Sequence, residues 1–315
     1  MKRKHNNIKA GLSLVFAFLL TVLLVILFIS FGLGIGVFNS RSIIKSINKT
    51  NYYDKVYVDI SQRTEELLLQ AGLPSTLLSD IITAGRVHAD GMNYIKEATS
   101  KKHQAYTTDN RLSKNQAYTT DNRLSKNQPV ITDNTLSQPQ NTLYNDIKAN
   151  ILEHIEQIGI RQSSDLSKEI TEVTDAIEYE YKSKIQMRFI EYLMSYKSEY
   201  GRLMIVMVPS LILLISVLCY MLIRVHRIIY RGIRYIVYAL LASSLMTLAA
   251  SLYLLLTKSY NKLMLAQDYY YQFMSEYIRL NIIVFTYIGM MGLIVAMALI
   301  TLIGLMRNKI MNINN

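Results

Sequence analysis

The sequence is poor in the residue types that mark several common classes of protein. Its 315 residues include one cysteine, which excludes a disulfide framework and a zinc site built from several cysteines. The five histidines form no HExxH pattern, and the chain has no phosphate-binding or nucleophile-elbow glycine motif. Hydrophobic residues reach 51% against 18% charged residues, a balance that favours a membrane protein.

Charge is missing from four long stretches of the sequence. These uncharged runs cover residues 10–40, 203–223, 235–257 and 280–306. A helix of about 20 apolar residues crosses the ~30 Å core of a bilayer, and each run reaches that length. A buried helix of a soluble core is the alternative, but such helices usually have shorter runs and a polar edge. The sequence therefore predicts four transmembrane helices, at 10–38, 202–224, 234–257 and 280–306.

The first run begins like a secretory signal peptide but is too long for one. Basic residues Lys2, Arg3 and Lys4 precede it, as they do in signal peptides. A cleaved signal has an apolar region of about 7–15 residues, and this run is roughly twice as long. It ends in the glycine-rich segment 32–38, which is either a flexible exit or a close-packing face. We interpret the run as an uncleaved signal anchor.

Basic residues near the predicted spans indicate their orientation, because Lys and Arg in short segments favour the cytoplasmic side. Ten of them occupy three short segments without any acidic residue: Lys2, Arg3, Lys4, Lys9, Arg224, Arg227, Arg231, Arg234, Arg307 and Lys309. We therefore predict a multi-pass cell-membrane protein whose tails, 1–9 and 307–315, are both cytoplasmic. Residues 39–200 and 258–279 are then extracytoplasmic. The lipid bilayer is the expected partner of the ten basic residues, through its anionic headgroups.

The predicted extracytoplasmic segment 39–200 has balanced charge, with 20 Lys and Arg against 21 Asp and Glu. It offers no basic stripe, which argues against nucleic acid as a partner. Its middle repeats the unit QAYTTDNRLSKN at 104–115 and 116–127, with a degraded copy at 128–139. Each copy has about two apolar residues, so we predict a disordered insertion over 100–140. Calcium binding by the Asp-Asn pairs is the alternative, but calcium requires about six to eight converging oxygens.

Helical hydrophobic patterns flank the repeats. Apolar residues recur at three- and four-residue spacing in four stretches: 51–71, 75–98, 141–158 and 165–198. Both ends of the segment return to the membrane, so an antiparallel bundle is the simplest arrangement. The last stretch predicts a rod of roughly 50 Å that leads directly into the second span. Residues 258–279 either lie at the headgroup level or extend the third and fourth spans so that they pack on this rod, which we favour.

The predicted fold is thus all-α, a four-helix transmembrane bundle with an extracytoplasmic helical domain that contains the disordered insertion. Small residues in the third and fourth spans predict close packing of these helices within one chain, rather than a specific dimer contact. The predicted packing residues are Ala239, Ala242, Ser243, Ala249, Ala250, Gly289, Gly292 and Ala296.

Candidate chemical sites are few. Glu153, His154 and Glu156 suggest an acid–base or metal cluster, but a solvated helix face is the expected role. His226 lies among arginines, where proton sensing is the alternative to an ordinary loop residue. Cys219 lies in an apolar span and is expected to act as a small hydrophobe. The span centres contain no ionisable residue, which argues against a proton-coupled secondary transporter. We predict no catalytic, cofactor or metal site.

Two resemblances accompany this reading. Segments Asn51-Tyr52-Tyr53, Leu67-Leu68-Leu69, Gly72-Leu73-Pro74 and Val87-His88-Ala89-Asp90 follow the first span. This stretch is similar to uncharacterised membrane proteins of Gram-positive bacteria, which implies a fold family and no activity. The order of one span, an ectodomain and three spans resembles FtsX/MacB-type ABC permeases. Those permeases engage their ATPase through a longer segment than Arg224–Arg234.

These observations together predict a non-enzymatic integral membrane protein of the bacterial cell envelope. Its ectodomain is expected to bind a partner protein of the membrane or envelope, or to sense a ligand. The cytoplasmic segments are too short to hold a signalling enzyme. The alternative function is a permease or accessory subunit of an ABC-type transporter.

Overall fold

The computed structural model describes residues 2–99, 140–159, 163–226, 229–262 and 267–313, with side chains described between residues 11 and 305 of these ranges, except 140–141. Nine α-helices occur within these ranges: α1 Lys2–Gly32, α2 Ser40–Thr50, α3 Tyr52–Gln70, α4 Ala84–Thr99, α5 Gln140–Gln157, α6 Ser164–Ile185, α7 Arg188–Val225, α8 Ile229–Thr257 and α9 Asp268–Ile313. These ranges contain no β-strand, which confirms the all-α prediction for them. The predicted insertion of repeats lies outside the described residues, apart from Gln140.

Four helical segments are long and apolar enough to cross a membrane. They are Gly11–Val37, Arg188–Val225, Ile229–Thr257 and Asp268–Leu305. Each coincides with or contains one of the predicted spans to within one residue, so the prediction of four membrane-crossing helices is confirmed by length and composition. The helices extend beyond the predicted spans, because backbone hydrogen bonding continues where the apolar run ends.

The chain forms two compact units. The first comprises Met1–Thr50 and Tyr196–Asn315 and is called the membrane unit, because it holds the apolar stretches of all four long helices. The second, Asn51–Ser195, is called the helical domain. The predicted extracytoplasmic segment, 39–200, was therefore wider than the compact domain, since its first twelve and last five residues group with the membrane unit.

In the membrane unit, α8 packs along both α9 and α1. One core cluster joins three helices through the fully buried side chains of Leu20, Leu222 and Ala239. Helix α7 reaches this cluster through Ile215 and Leu218, while most of its remaining apolar surface is exposed. The exposed apolar side chains are those that a lipid environment would cover.

The end of α1 leads into α2, which the sequence patterns did not predict. A π-helix at Leu33–Val37 continues α1, and the side chain of Asn39 then accepts a hydrogen bond of 3.0 Å from the backbone N–H of Arg41. This contact satisfies one of the free N–H groups at the start of α2. Ile43 and Ile47 of α2 are buried, and α2 packs on α9.

The helical domain begins with α3, which ends where the sequence predicts. Gly72 adopts φ +72, and the N–H groups of Gly72 and Leu73 bond to the carbonyls of Leu69 and Leu68 at 3.1 and 2.8 Å. This pattern is a Schellman motif, which requires a left-handed residue and therefore favours glycine.

The helix predicted at 75–98 begins later than expected. Residues 75–83 form turns, with hydrogen bonds of 3.1 Å from Leu77 N–H to the Pro74 carbonyl and from Ser79 N–H to the Thr76 carbonyl. Helix α4 starts at Ala84, where the Thr83 hydroxyl accepts a hydrogen bond from the N–H of Arg86 at 3.2 Å. The threonine cap thus fixes a start that hydrophobic spacing alone placed too early.

The predicted continuous rod at 165–198 is wrong. Helix α6 starts after the cap residue Ser163 and ends at Ile185, and α7 begins at Arg188. Gln186 is extended, with φ −79 and ψ 106, and the side chain of Met187 is buried. The carbonyl of Met187 accepts a hydrogen bond of 2.9 Å from the Ile190 N–H, at the start of α7, and one of 3.3 Å from the Tyr94 hydroxyl.

The core of the domain follows the predicted stripes with three exceptions. Buried members include Tyr53, Val56, Ile60, Leu68, Val87, Ile95, Leu143, Ile147, Ile151, Ile155, Ile170, Ile177, Tyr181 and Ile185. The same three- and four-residue spacing also predicts burial of Ile158, Tyr192 and Tyr196, but these side chains are exposed, and Tyr196 already belongs to the membrane unit. The two tyrosines follow the break at Gln186, which changes the face that α7 presents.

Candidate functional site

The predicted acid–base cluster on α5 stays a solvated surface. Glu153 and Glu156 are exposed, and Glu153 accepts a hydrogen bond of 3.4 Å from the Gln157 side chain. Across the described part of the chain, no three His, Cys, Asp or Glu side chains converge in a way that could hold a metal ion.

The described residues among the ten predicted lipid-contacting positions lie at one end of the membrane unit. Arg224, Arg231 and Arg234 are exposed and belong to helices α7 and α8, so the predicted loop Arg224–Arg234 is largely helical. Arg227 lies outside the described residues. The others are on α1 and α9, where their backbone alone is described: Lys2, Arg3, Lys4, Lys9, Arg307 and Lys309.

His226 is held between helices at this end. Its Nε2 atom lies 3.0 Å from the Ser13 hydroxyl of α1, and its ring stacks on Tyr235 of α8 with centroids 5.2 Å apart. The imidazole therefore connects α1, α8 and the short link after α7. Sequence reasoning recognised His226 only as a residue among arginines, because Ser13 is distant in the chain.

The small residues of α8 and α9 form a close contact, but with a different set from the prediction. Of the predicted packing residues, Ala239, Ser243, Gly289, Gly292 and Ala296 are buried and Ala242 is half-buried. A Cβ atom on Gly289 would lie 3.0 Å from the backbone nitrogen of Leu248, and one on Gly292 would lie 2.4 Å from the Ser244 hydroxyl. Ala249 and Ala250 are exposed, and their predicted packing role is wrong within this unit.

The buried face of α8 is polar as well as small. Ser243, Ser244, Thr247 and Ser251 are buried, whereas Ala249 lies on the opposite side of the helix. Each buried hydroxyl donates to a carbonyl of α8, for example Ser244 to Leu240 at 2.7 Å and Thr247 to Ser243 at 2.9 Å. Because the carbonyls of α8 accept these hydrogen bonds, each of these buried hydroxyls has a partner at the contact between α8 and α9.

The opposite end of the membrane unit, called here the α2 end, contains polar contacts that the sequence did not predict. Glu276 of α9 binds Lys49 of α2 at 2.7 Å and Arg279 at 3.2 Å. The Tyr277 hydroxyl donates to the Val37 carbonyl at 2.5 Å. These contacts fix α2 against the first turns of α9, at the level where the π-helix ends.

Asn281 and Tyr200 add two further contacts to the α2 end. The amide group of Asn281 donates to the Tyr277 carbonyl at 2.7 Å, and the residue is buried against Gly36. The Tyr200 hydroxyl of α7 donates to the carbonyl of Ser30, and its ring packs on Phe38 with centroids 4.6 Å apart. These groups are far apart in the chain and meet only in the folded structure. Hydrophobic periodicity, which depends on residues close in the chain, therefore could not predict the contacts.

An apolar groove opens between α1, α8 and α9 next to the α2 end. Its volume is about 590 Å³, and Phe28, Phe31, Ile35, Val284, Tyr287 and Val295 are among its lining residues. All of them belong to the membrane-crossing segments. The groove has the size of pockets that hold small ligands, about 300–1,000 Å³.

In the helical domain, polar side chains connect the helices across the chain. Arg86 of α4 binds Asp146 of α5 at 2.9 Å. Lys184 of α6 binds Asp59 of α3 at 2.5 Å. These ion pairs, together with the aliphatic core, fix the arrangement of four helices.

Two tyrosines extend this network, and a third is buried beside it. The Tyr181 hydroxyl donates to Asp90 at 2.8 Å, and the Tyr94 hydroxyl donates to Glu191 at 3.1 Å. Burial, followed by the neighbouring carboxylate, raises the pKa of both phenols above the ordinary value of 10. Tyr53 is buried against Gly91, and burial raises the pKa of its phenol as well. The protonated phenol is therefore the stable form in the folded domain.

Comparison with known proteins adds no further site. No known protein family, no curated protein and no solved structure matches the chain. Functional inference therefore rests on the geometry of the two units and on their surfaces.

Proposed function

We propose that the chain is a non-enzymatic integral membrane protein of the cell envelope whose helical domain binds a partner or senses a ligand. The membrane unit anchors this domain and transmits its state. In this proposal both termini are cytoplasmic and Asn51–Ser195 is outside. The proposal is supported by a compact domain placed between the first and second membrane-crossing helices.

Two exposed tyrosines carry the proposal. Tyr179 on α6 is 69% exposed and Tyr192 on α7 is 66% exposed, although hydrophobic spacing predicted Tyr192 on a buried face. Tyrosine is enriched among the residues that dominate binding energy at protein interfaces. Helix α6 is held by the ion pair of Lys184 with Asp59. Helix α7 is held by the buried Ile190 and the hydrogen bond from Tyr94 to Glu191, so both rings project from supported helices.

Charge at the two ends of the membrane unit supports the orientation. The end that holds His226 carries ten Lys and Arg in sequence and no acidic residue. The α2 end carries eight, namely Arg41, Lys45, Lys49, Lys197, Arg202, Lys258, Lys262 and Arg279, together with three acidic residues. The excess of basic residues favours the first end as cytoplasmic.

Photo-crosslinking in cells tests the binding role. Benzoylphenylalanine is placed at Tyr179 or Tyr192, and at Lys168 as the control, because Lys168 is an exposed residue of α6 in an ion pair with its own helix. The proposal expects a discrete adduct with an envelope protein from the tyrosine positions and none from Lys168. Equal labelling at all three positions contradicts it, and co-purification of an ATPase favours the transport alternative.

A further inference from the structure

Helix α2 has a basic face with no acidic residue. Arg41, Lys45 and Lys49 are spaced four residues apart, which places them along one side of the helix. The opposite side buries Ile43 and Ile47. A short helix with one apolar and one basic face is typical of segments that lie at a membrane surface.

Two of these cations are available to a ligand. Lys49 already binds Glu276 at 2.7 Å, which fixes the helix on α9. Arg41 and Lys45 are exposed, and neither forms an ion pair with a residue that the structure describes. The ion pair of Lys49 therefore fixes the orientation of α2, while Arg41 and Lys45 remain accessible to a ligand.

These cations stand at the depth of lipid headgroups. Arg41 is the first charged residue after the uncharged run of α1, and Arg279 is the last before that of α9. The hydrogen bond from Tyr277 to the Val37 carbonyl places these parts of α1 and α9 at one level. The basic face of α2 thus begins where both apolar runs end.

The apolar groove begins directly below this level. Ile35 precedes Val37 by two residues, and Val284 follows Tyr277 by seven residues, or about 10 Å of helix. The groove continues along α9 to Val295, so it follows the direction of an extended acyl chain. Phe31, Ile35 and Tyr287 are exposed along it, which leaves it open to the lipid side.

We infer that the α2 end is a binding site for one anionic phospholipid, with its phosphate at Arg41 and Lys45 and an acyl chain in the groove. Charge complementarity selects an anionic headgroup, and the apolar lining selects a chain. A soluble anion would use only the cations, and a transmembrane helix from a second copy would use only the groove. A phospholipid is the occupant that uses both.

Native mass spectrometry of the full chain in detergent tests this inference with added phosphatidylglycerol or phosphatidylcholine. The site is expected to bind phosphatidylglycerol about 30-fold more tightly than phosphatidylcholine. This ratio corresponds to about 2 kcal/mol of binding free energy, since a factor of ten equals ~1.4 kcal/mol. The double variant Arg41→Gln/Lys45→Gln should remove this preference and leave phosphatidylcholine binding unchanged. The matched control Lys258→Gln/Lys262→Gln removes two exposed cations outside α2 and should retain the preference.

A groove variant tests the acyl chain separately. Val295→Phe fills part of the groove at an exposed position and should weaken the binding of both lipids about tenfold. Val206→Phe makes the same change at an exposed site on α7 and should have no effect.

Three results would overturn the inference. The first is a phosphatidylglycerol preference that survives Arg41→Gln/Lys45→Gln or that is lost equally in the lysine control. The second is complete displacement of the lipid by an equal concentration of soluble glycerol phosphate, which would identify a simple anion site. The third is a dimer that Val295→Phe dissociates, which would identify a second copy as the occupant of the groove.

Discussion

The membrane unit and the helical domain use different contacts to hold their helices together. In the membrane unit, helices approach closely at glycine and hydroxyl residues, as where Gly32 meets the ring of Phe285 and Gly289 meets the backbone of Leu248. In the helical domain, isoleucine, leucine and valine fill the core. In water, the hydrophobic effect drives the apolar side chains of the helical domain into a core. Lipid provides no such driving force, so the helices of the membrane unit associate through close van der Waals contact.

Charge separates the two regions as clearly as packing does. The membrane unit contains 18 Lys and Arg against three Asp and Glu, whereas the helical domain contains 16 against 20. Ion pairs between helices occur throughout the described part of the domain, but the described pairs of the membrane unit gather on Glu276 at the α2 end. In the helical domain, charged side chains pair between helices, because nearby water keeps the cost of desolvating them low. In the membrane unit, charged side chains lie at the ends of the apolar spans.

The largest expected effect is a cavity in the core of the helical domain. Ile177 is fully buried on α6, so Ile177→Ala should lower the free energy of unfolding by about 2–5 kcal/mol. Denaturant unfolding of the full chain in detergent, followed by tyrosine fluorescence, measures the change. The exposed neighbour Tyr179→Ala is the control, and equal losses in the two variants would show that this face does not form the core.

Close packing in the membrane unit is tested by adding volume rather than removing it. Gly289→Leu places a side chain against the backbone of α8 and should cost about 1–3 kcal/mol, measured as a lower thermal midpoint in detergent. Gly304→Leu is the matched control, because a Cβ atom at Gly304 meets nothing within 4 Å. If both leucines are tolerated equally, the glycine contact between α8 and α9 is not required.

Ion pairs in the helical domain should contribute less than its core, and their value should follow burial. Lys184→Gln removes the ion pair between a largely buried lysine and Asp59 and should cost about 1–2 kcal/mol. The side chain of Lys184 is 15% exposed and that of Lys168 is 80% exposed, so Lys168→Gln should cost less than about 0.5 kcal/mol. Denaturant unfolding compares the two variants, and the reverse order would contradict the role of burial.

The smallest expected effect is a change in pH dependence. Tyr94 and Tyr181 have raised pKa values in the folded domain, while the unfolded chain ionises its tyrosines near pH 10. Above about pH 10 the unfolded chain therefore releases protons that the folded chain keeps, and stability falls as pH rises. Tyr181→Phe should reduce this slope by up to about 1.4 kcal/mol per pH unit. An unchanged slope between pH 10 and 11 would show that Tyr181 ionises freely.

Local rules were sufficient for much of the fold. Uncharged length located the four membrane-crossing helices, glycine located the end of α3, and four-residue spacing located the buried isoleucines of α5. These features depend on neighbours along the chain, so the sequence contains their full signal.

Features that depend on distant contacts were missed. The predicted rod breaks at the extended Gln186, next to the point where the Met187 carbonyl accepts a hydrogen bond from Tyr94, which lies on another helix. Ala249 and Ala250 share the size of a packing residue but lie on the exposed side of α8, and composition does not specify which side faces a neighbour. The groove and the Glu276 contacts likewise arise where separate helices meet.

Orientation in the membrane is the central claim, because the binding role of the helical domain and the cytoplasmic position of the termini depend on it. Cysteine labelling tests it in a Cys219→Ala background, with Glu172→Cys on exposed α6 and Asn312→Cys near the C-terminus. A membrane-impermeant maleimide should label Glu172→Cys in intact cells and Asn312→Cys only after permeabilisation. Labelling of Asn312→Cys in intact cells, with Glu172→Cys protected, would contradict the account.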